Sequence, residues 1–101
     1  MKVAVSSESK DENSQVSQMS GRAPFYLLFD NGKLVKVLKN PFRVGGGGAG
    51  FSVARMLADE KVEMVISGNF GGNMKSALES KGIEYREMQE VNVREALEAI
   101  K

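Results

Sequence analysis

The segment that most limits the fold of this chain is Asn40-Pro41-Phe42-Arg43-Val44-Gly45-Gly46-Gly47-Gly48-Ala49-Gly50-Phe51, where four consecutive glycines run into an apolar, helix-compatible stretch. Glycine loses more backbone entropy on ordering than any other residue, so such a run is costly inside a compact domain. Its compensations are access to positive φ and amide N–H groups that a ligand reaches without meeting a Cβ. At a helix N-terminus those amides also lie at the positive end of the helix dipole. Two readings stand: Gly45, Gly46, Gly47 and Gly48 cradle an anion or cofactor, or they form a slack connector.

The stretches around the run set the architecture. Lys2–Ser6 is a short apolar strand of the kind buried on both faces. Residues 7–21 are polar and without periodicity, and connections of that length are usually functional or mobile. Phe25–Asp30 is the strongest strand signal, Asn31-Gly32 a hairpin turn, and Lys33–Lys39 the return strand, its terminal lysines suited to a sheet edge. Beyond the glycines, Gly50–Glu60 reads as a helix with Phe51, Ala54 and Ala58 on its inner face, flanked by Val53 and Leu57. Val62–Ser67 is a buried strand, and Gly68-Asn69-Phe70-Gly71-Gly72-Asn73 a second glycine-rich turn. The helix Asn73–Lys81 follows and is closed by Gly82. Ile83–Glu87 is the last strand. Asn92 and Glu95 then form a capping box for a helix with Val93, Ala96, Leu97 and Ile100 on one stripe.

This order, β-ββ-α-β-α-β-α, predicts an α/β fold with right-handed crossovers; with the hairpin pairing beside the first strand in a meander, it becomes a five-stranded mixed sheet in the order 3-2-1-4-5, strand 2 antiparallel and helices on both faces. On that topology the loop 7–21, the run 45–50 and the turn 68–73 emerge at one rim. That rim holds the carboxyl ends of the parallel strands, where open α/β sheets place their ligands.

Composition removes several functions. A chain of 101 residues holds one core, so a single domain over 1–101 is expected. There is no cysteine and no histidine, which excludes disulfides, zinc fingers, thiolate nucleophiles and histidine bases. The net charge of +1 is spread along the chain, giving no nucleic-acid stripe. The apolar run at the N-terminus is too short for a signal peptide, and no later run has membrane-spanning length. A cytoplasmic protein with no nucleic-acid or membrane partner is the expectation. The glycine run is not a P-loop, since no Gly-Lys-Ser/Thr follows, and it lacks the remainder of a dinucleotide fingerprint. Two-metal nuclease chemistry needs converging carboxylates, whereas the first and fourth strands end in Ser6-Ser7 and Ser67-Gly68.

Four segments in this order and spacing carry a family resemblance. They are Lys2-Val3-Ala4-Val5; Val16-Ser17 with Gly21-Arg22-Ala23-Pro24-Phe25-Tyr26; Asn40-Pro41-Phe42; and Ile66-Ser67-Gly68-Asn69-Phe70-Gly71-Gly72-Asn73. Over nearly its whole length the chain resembles the dinitrogenase iron-molybdenum cofactor biosynthesis family, the NifX-like domains. The resemblance implies a ribonuclease H-like, three-layer fold. It also implies binding or carriage of an iron-sulfur or iron-molybdenum cofactor, or its precursor, rather than catalysis. Another cofactor-assembly protein would be a partner. One departure bears on chemistry. Where the family often reads Ser-Pro-His-Phe-Gly-Arg, this chain has Ser17-Gln18-Met19-Ser20-Gly21-Arg22, so Met19 replaces the histidine. Thiolate and imidazole are the usual ligands of iron-sulfur species. Without them a cluster must be held by shape and charge, through backbone amides and Arg22, or not at all.

The candidate binding residues are therefore Met19, Arg22, Gly45, Gly46, Gly47, Gly48, Gly68, Asn69, Phe70, Gly71 and Asn73, with no catalytic residue and no direct metal ligand. Each has a plainer reading. Met19 is a packing residue before it is a soft ligand. Arg22 clamps an anion or pairs with Glu8 or Asp11. Phe70 covers a ligand, or its turn merely needs glycine geometry. Two alternatives to a carrier remain: a protein-interaction module with no small-molecule ligand, and an enzyme acting on a nucleotide or phosphorylated substrate.

Overall fold

A computed structural model of the chain describes residues 1–44 and 48–101. Its strands are β1 (Lys2–Ser7), β2 (Phe25–Asp30), β3 (Lys33–Lys39), β4 (Met64–Ser67) and β5 (Glu84–Glu87). Its helices are α1 (Ala49–Asp59), α2 (Gly72–Ser80) and α3 (Val93–Ala99). The strands form one five-stranded sheet in the order β3-β2-β1-β4-β5. β1 lies at the centre, antiparallel to β2 and parallel to β4, while β4 runs parallel to β5. The predicted order and strand directions are those observed.

Alternation along the central strands divides the interior into two cores. Val3 and Val5 point with Leu27, Phe29, Met64 and Ile66 toward α3 and its Val93, Ala96 and Leu97. Ala4, Leu28 and Val65 point the other way, onto Val53, Ala54 and Leu57 of α1 and Met74, Ala77 and Leu78 of α2. The result is a three-layer α/β/α arrangement. The continuous apolar runs of β1, β2 and β4 are explained by burial on both faces. The edges are β3, with Lys33, Lys36 and Lys39, and β5, with Glu84, Arg86 and Glu87. Charge at both edges blunts further strand pairing.

Since β1, β4 and β5 run parallel, their carboxyl ends share one rim. The antiparallel hairpin brings the start of β2 and the end of β3 to the same place. Residues 8–24, the segment after Lys39 and the turn 68–71 consequently meet there.

Two expectations need correction. Phe51 is not on the inner face of α1 but half-exposed, because the buried face centres on Val53, Ala54 and Leu57. The loop after β1 is not structure-poor either. Val16, Ser17 and Ser20 are buried within it. The Ser17 N–H donates to Ser6 O at 3.1 Å and the Gly68 N–H donates to Ser17 O at 2.8 Å. The Ser6 hydroxyl donates to Ser67 Oγ at 2.7 Å, and that of Ser67 donates to Ser17 O at 3.1 Å. Small hydroxyls thus pin this segment across the ends of β1 and β4.

Candidate functional site

The rim is built around close backbone approaches. A Cβ on Gly50, in the first turn of α1, would lie 2.9 Å from the backbone nitrogen of Met74 in the first turn of α2. Only glycine lets the two helix starts come this near. Gly21, in the short 3₁₀ turn Ser20–Arg22, sits on the same place, its Cβ position 3.6 Å from Gly50 N. Three segments distant in sequence meet at one point.

Between them lies a cleft of about 350 Å³, lined by Met19, Gly21, Arg22, Gly48, Ala49, Gly50, Gly71, Gly72, Asn73 and Met74. Its walls are the openings of two helices. α1 is capped by Gly48 at φ +91°, a left-handed conformation that accounts for glycine there. α2 is capped by Gly71, and neither cap supplies a side-chain hydrogen bond. The first-turn N–H groups of Ala49, Gly50, Gly72 and Asn73 take no partner among the described residues. Such groups have no acceptor within their own helix. Neither helix carries an acid in its first turn, and no carboxylate lines the cleft. Arg22 adds a full positive charge. Its Nη1 donates to Arg43 O at 3.4 Å, which ties the guanidinium to the segment entering α1.

Met19 and Arg22 also line an adjoining depression of about 480 Å³ that includes Glu8 and Glu90. Two carboxylates make that depression the poorer place for an anion. Glu8 itself accepts the hydroxyl of Ser17, and Asp11 accepts the N–H of Asn13.

Of the sequence candidates, Met19, Arg22, Gly48, Gly71 and Asn73 come together in the cleft. Met19 is 51% exposed, so it is not part of the buried core. Gly68, Asn69 and Phe70 are not among the lining residues. Gly68 is a point of close approach, where a Cβ would lie 2.7 Å from Gln18 Cα, and its N–H is spent on Ser17 O. The Asn69 side chain accepts Gln89 Nε2–H at 3.1 Å and its carbonyl accepts the Ser20 N–H at 3.0 Å. Phe70 is buried against Tyr85, ring centroids 5.2 Å apart, and its N–H donates to Glu87 Oε2 at 3.2 Å. The idea that Phe70 covers a ligand from an exposed turn therefore gives way to a core role. Gly45, Gly46 and Gly47 lie outside the described residues. Gly21, Ala49, Gly50, Gly72 and Met74 line the cleft without being among those candidates. The Gly21-Arg22 pair and the two glycine-rich stretches hinted at all of them but Met74, which nothing local marks.

The donor set bears on what the cleft could hold. The chain has neither thiolate nor imidazole, and no group of His, Cys, Asp and Glu suited to a metal ion occurs among the described residues. Amides and a guanidinium fit the outer atoms of an intact anion rather than a bare metal ion.

Comparison with known proteins agrees with this architecture. The orange protein of Desulfovibrio gigas, solved in its apo form, superposes with a TM-score of 0.92 at 24% identity, over 98% of this chain and 85% of that one. A Thermotoga protein provisionally named NifB, of the DUF35 family, gives 0.84 at 30% identity, over 98% and 85%. A provisionally named dinitrogenase from Methanocaldococcus jannaschii gives 0.67 at 20% identity, over 99% and 86%. No curated protein matches the chain. Residues 1–101 match the family described as dinitrogenase iron-molybdenum cofactor. The chain belongs to the dinitrogenase iron-molybdenum cofactor family.

Proposed function

We propose that this protein is a cytoplasmic binder and carrier that holds an anionic iron-sulfur-type metallocofactor, or its precursor, in the cleft between the first turns of α1 and α2. The sheet order, with β2 antiparallel, supports reading the fold as ribonuclease H-like. The observation that carries the functional reading is the convergence of two helix N-termini, both without capping side chains, on a cleft that also contains Arg22. Gly71 makes the point sharply. It holds an ordinary φ of −69°, and a Cβ there would meet nothing within 4 Å. The backbone does not demand glycine at that N-cap, where Ser, Thr, Asp or Asn would stabilise the helix. Its absence of side chain keeps the amides open to a ligand.

In this reading the cofactor is cargo. The N–H groups of Ala49, Gly50, Gly72 and Asn73 donate to its outer sulfur or oxygen atoms. Arg22 balances its charge, the Asn73 amide adds a side-chain donor, and Met19 covers it from the exposed edge. The described lining offers donors and charge, which suit the holding of an anion.

Anaerobic titration with extracted iron–molybdenum cofactor tests this. Saturation at a hundredfold excess over Kd raises Tm by roughly 10 °C and perturbs the visible spectrum of the cofactor. An unchanged melt and spectrum at saturating cofactor would refute carriage.

A second reading is favoured by exposed apolar residues that flank the glycine run in sequence: Phe42, Val44 and Phe51. Here the rim docks a cofactor-assembly protein and no small molecule binds. The melt is then indifferent to every small anion, while a complex forms with the purified assembly protein.

A further inference from the structure

The cleft owes its charge to Arg22, carried by a 3₁₀ turn three residues long. Besides the Tyr26 hydroxyl and the Asn69 carbonyl, which hold Ser20, a side chain from elsewhere fastens this turn. Asn40 follows β3 and is only 4% exposed. Its Nδ2 donates to Gly21 O at 3.1 Å and to Ala23 O at 2.9 Å, the carbonyls on either side of Arg22. Its Oδ1 accepts the Phe42 N–H at 2.9 Å, and its own N–H donates to Pro24 O at 3.0 Å. Both amide hydrogens meet carbonyls and the amide oxygen meets an N–H, so chemistry leaves one orientation for the group. A carboxylate of the same shape would face two carbonyl oxygens with nothing to donate. The Arg22 guanidinium reaches back to Arg43 O, three residues beyond Asn40. The backbone on either side of Arg22 and its side chain are thus both fastened to the segment 40–43.

Resting on the cleft reading above, we infer that Asn40 is a positioning residue: it locks the Arg22 turn to the segment entering α1, and the anion affinity of the cleft depends on its two donated hydrogen bonds. Asn40 touches no ligand itself. Its effect passes through Arg22, so the two residues are energetically coupled rather than independent.

The test is a double-mutant cycle read as affinity for extracted iron–molybdenum cofactor, titrated anaerobically into protein shown to be folded by its melt. R22A weakens binding by about tenfold, as loss of a charge-assisted contact does. N40D, which keeps the volume of the side chain but loses both donors, weakens it by about the same factor. The R22A/N40D double variant is no more than about threefold weaker than either single one. A purely structural role for Asn40 lowers Tm but leaves the R22A effect at full size in the N40D background. If N40D fails to fold, N40S, which retains one donor, carries the same cycle with a smaller first step. Affinity unchanged by R22A removes the cleft reading and this inference with it. A tenfold loss for R22A with no loss for N40D or N40S, or with additive losses, overturns the role of Asn40 alone.

Discussion

The three helices begin in two different ways, and on the proposed reading the contrast separates scaffold from site. α3 starts with a complete capping box. The Asn92 side chain accepts the Glu95 N–H at 2.8 Å, the Glu95 carboxylate accepts the Asn92 N–H at 2.9 Å, and Glu95 also places an acid in the first turn. Its orphan donors and its dipole are answered from within. α1 and α2 start with Gly48 and Gly71, without a capping side chain or a first-turn acid. The chain therefore possesses the means to close a helix start, yet among the described residues two starts, side by side, have none. On the proposed reading α3 satisfies its own polar groups as scaffold, whereas α1 and α2 keep theirs for a ligand.

The contrast can be broken most severely at Gly50. Gly50→Val places side-chain atoms against the Met74 backbone and drives α1 from α2. Chemical denaturation will show a loss of about 2–3 kcal/mol, and cofactor binding will vanish with the shared cleft. Next in size is Gly71→Asp, which gives α2 the cap that α3 already has. Stability rises by about 0.5 kcal/mol through the cap and dipole. Affinity falls by about tenfold or more, because a carboxylate now stands where the anion would. Opposite signs from one substitution are difficult to produce by general damage. Asn92→Ala is the counterpart at the closed helix. It costs about 1 kcal/mol, or about 4 °C in Tm, with cofactor affinity unchanged.

Much of this contrast was visible in the residues. The Asn92 and Glu95 spacing announced a capping box, and the apolar runs and hairpin turn announced the strands, because periodicity and turn chemistry are local; the sheet order came instead from taking the hairpin as a meander beside the first strand, followed by helical crossovers. The glycine run too was readable as backbone able to take positive φ, which Gly48 adopts. Contacts between distant backbones were not. The close approaches of Gly50 to Met74 and of Gly68 to Gln18 leave no mark on neighbouring sequence, so the role of Gly68 was misjudged. Phe70 looked exposed because its turn is glycine-rich, yet the chain folds its ring onto Tyr85. The serines that fasten residues 15–19 to β1 and β4 carry no hydrophobic period, so an anchored segment resembled an unstructured one.

The smallest effect concerns the anchoring of the rim from below. Tyr26 is fully buried, and its hydroxyl donates to the carbonyl of Ser20 in the Arg22 turn. Burial pushes its phenol above the usual value of 10.0, with the Ser20 hydroxyl pulling slightly the other way. The folded state holds the proton where the unfolded chain releases it. The stabilisation is complete below the ordinary tyrosine value and declines as pH rises beyond it. Melts across the alkaline range will show that decline in the wild type and a flatter profile in Tyr26→Phe.

The most direct test of the open-helix account is to follow backbone amide resonances during anaerobic addition of extracted iron–molybdenum cofactor. The account predicts that the amides of Ala49, Gly50, Gly72 and Asn73 shift together and saturate with one affinity, while those of the α3 start, Val93 to Glu95, stay in place. Resonances of both open helix starts that remain unmoved at saturating cofactor would contradict it.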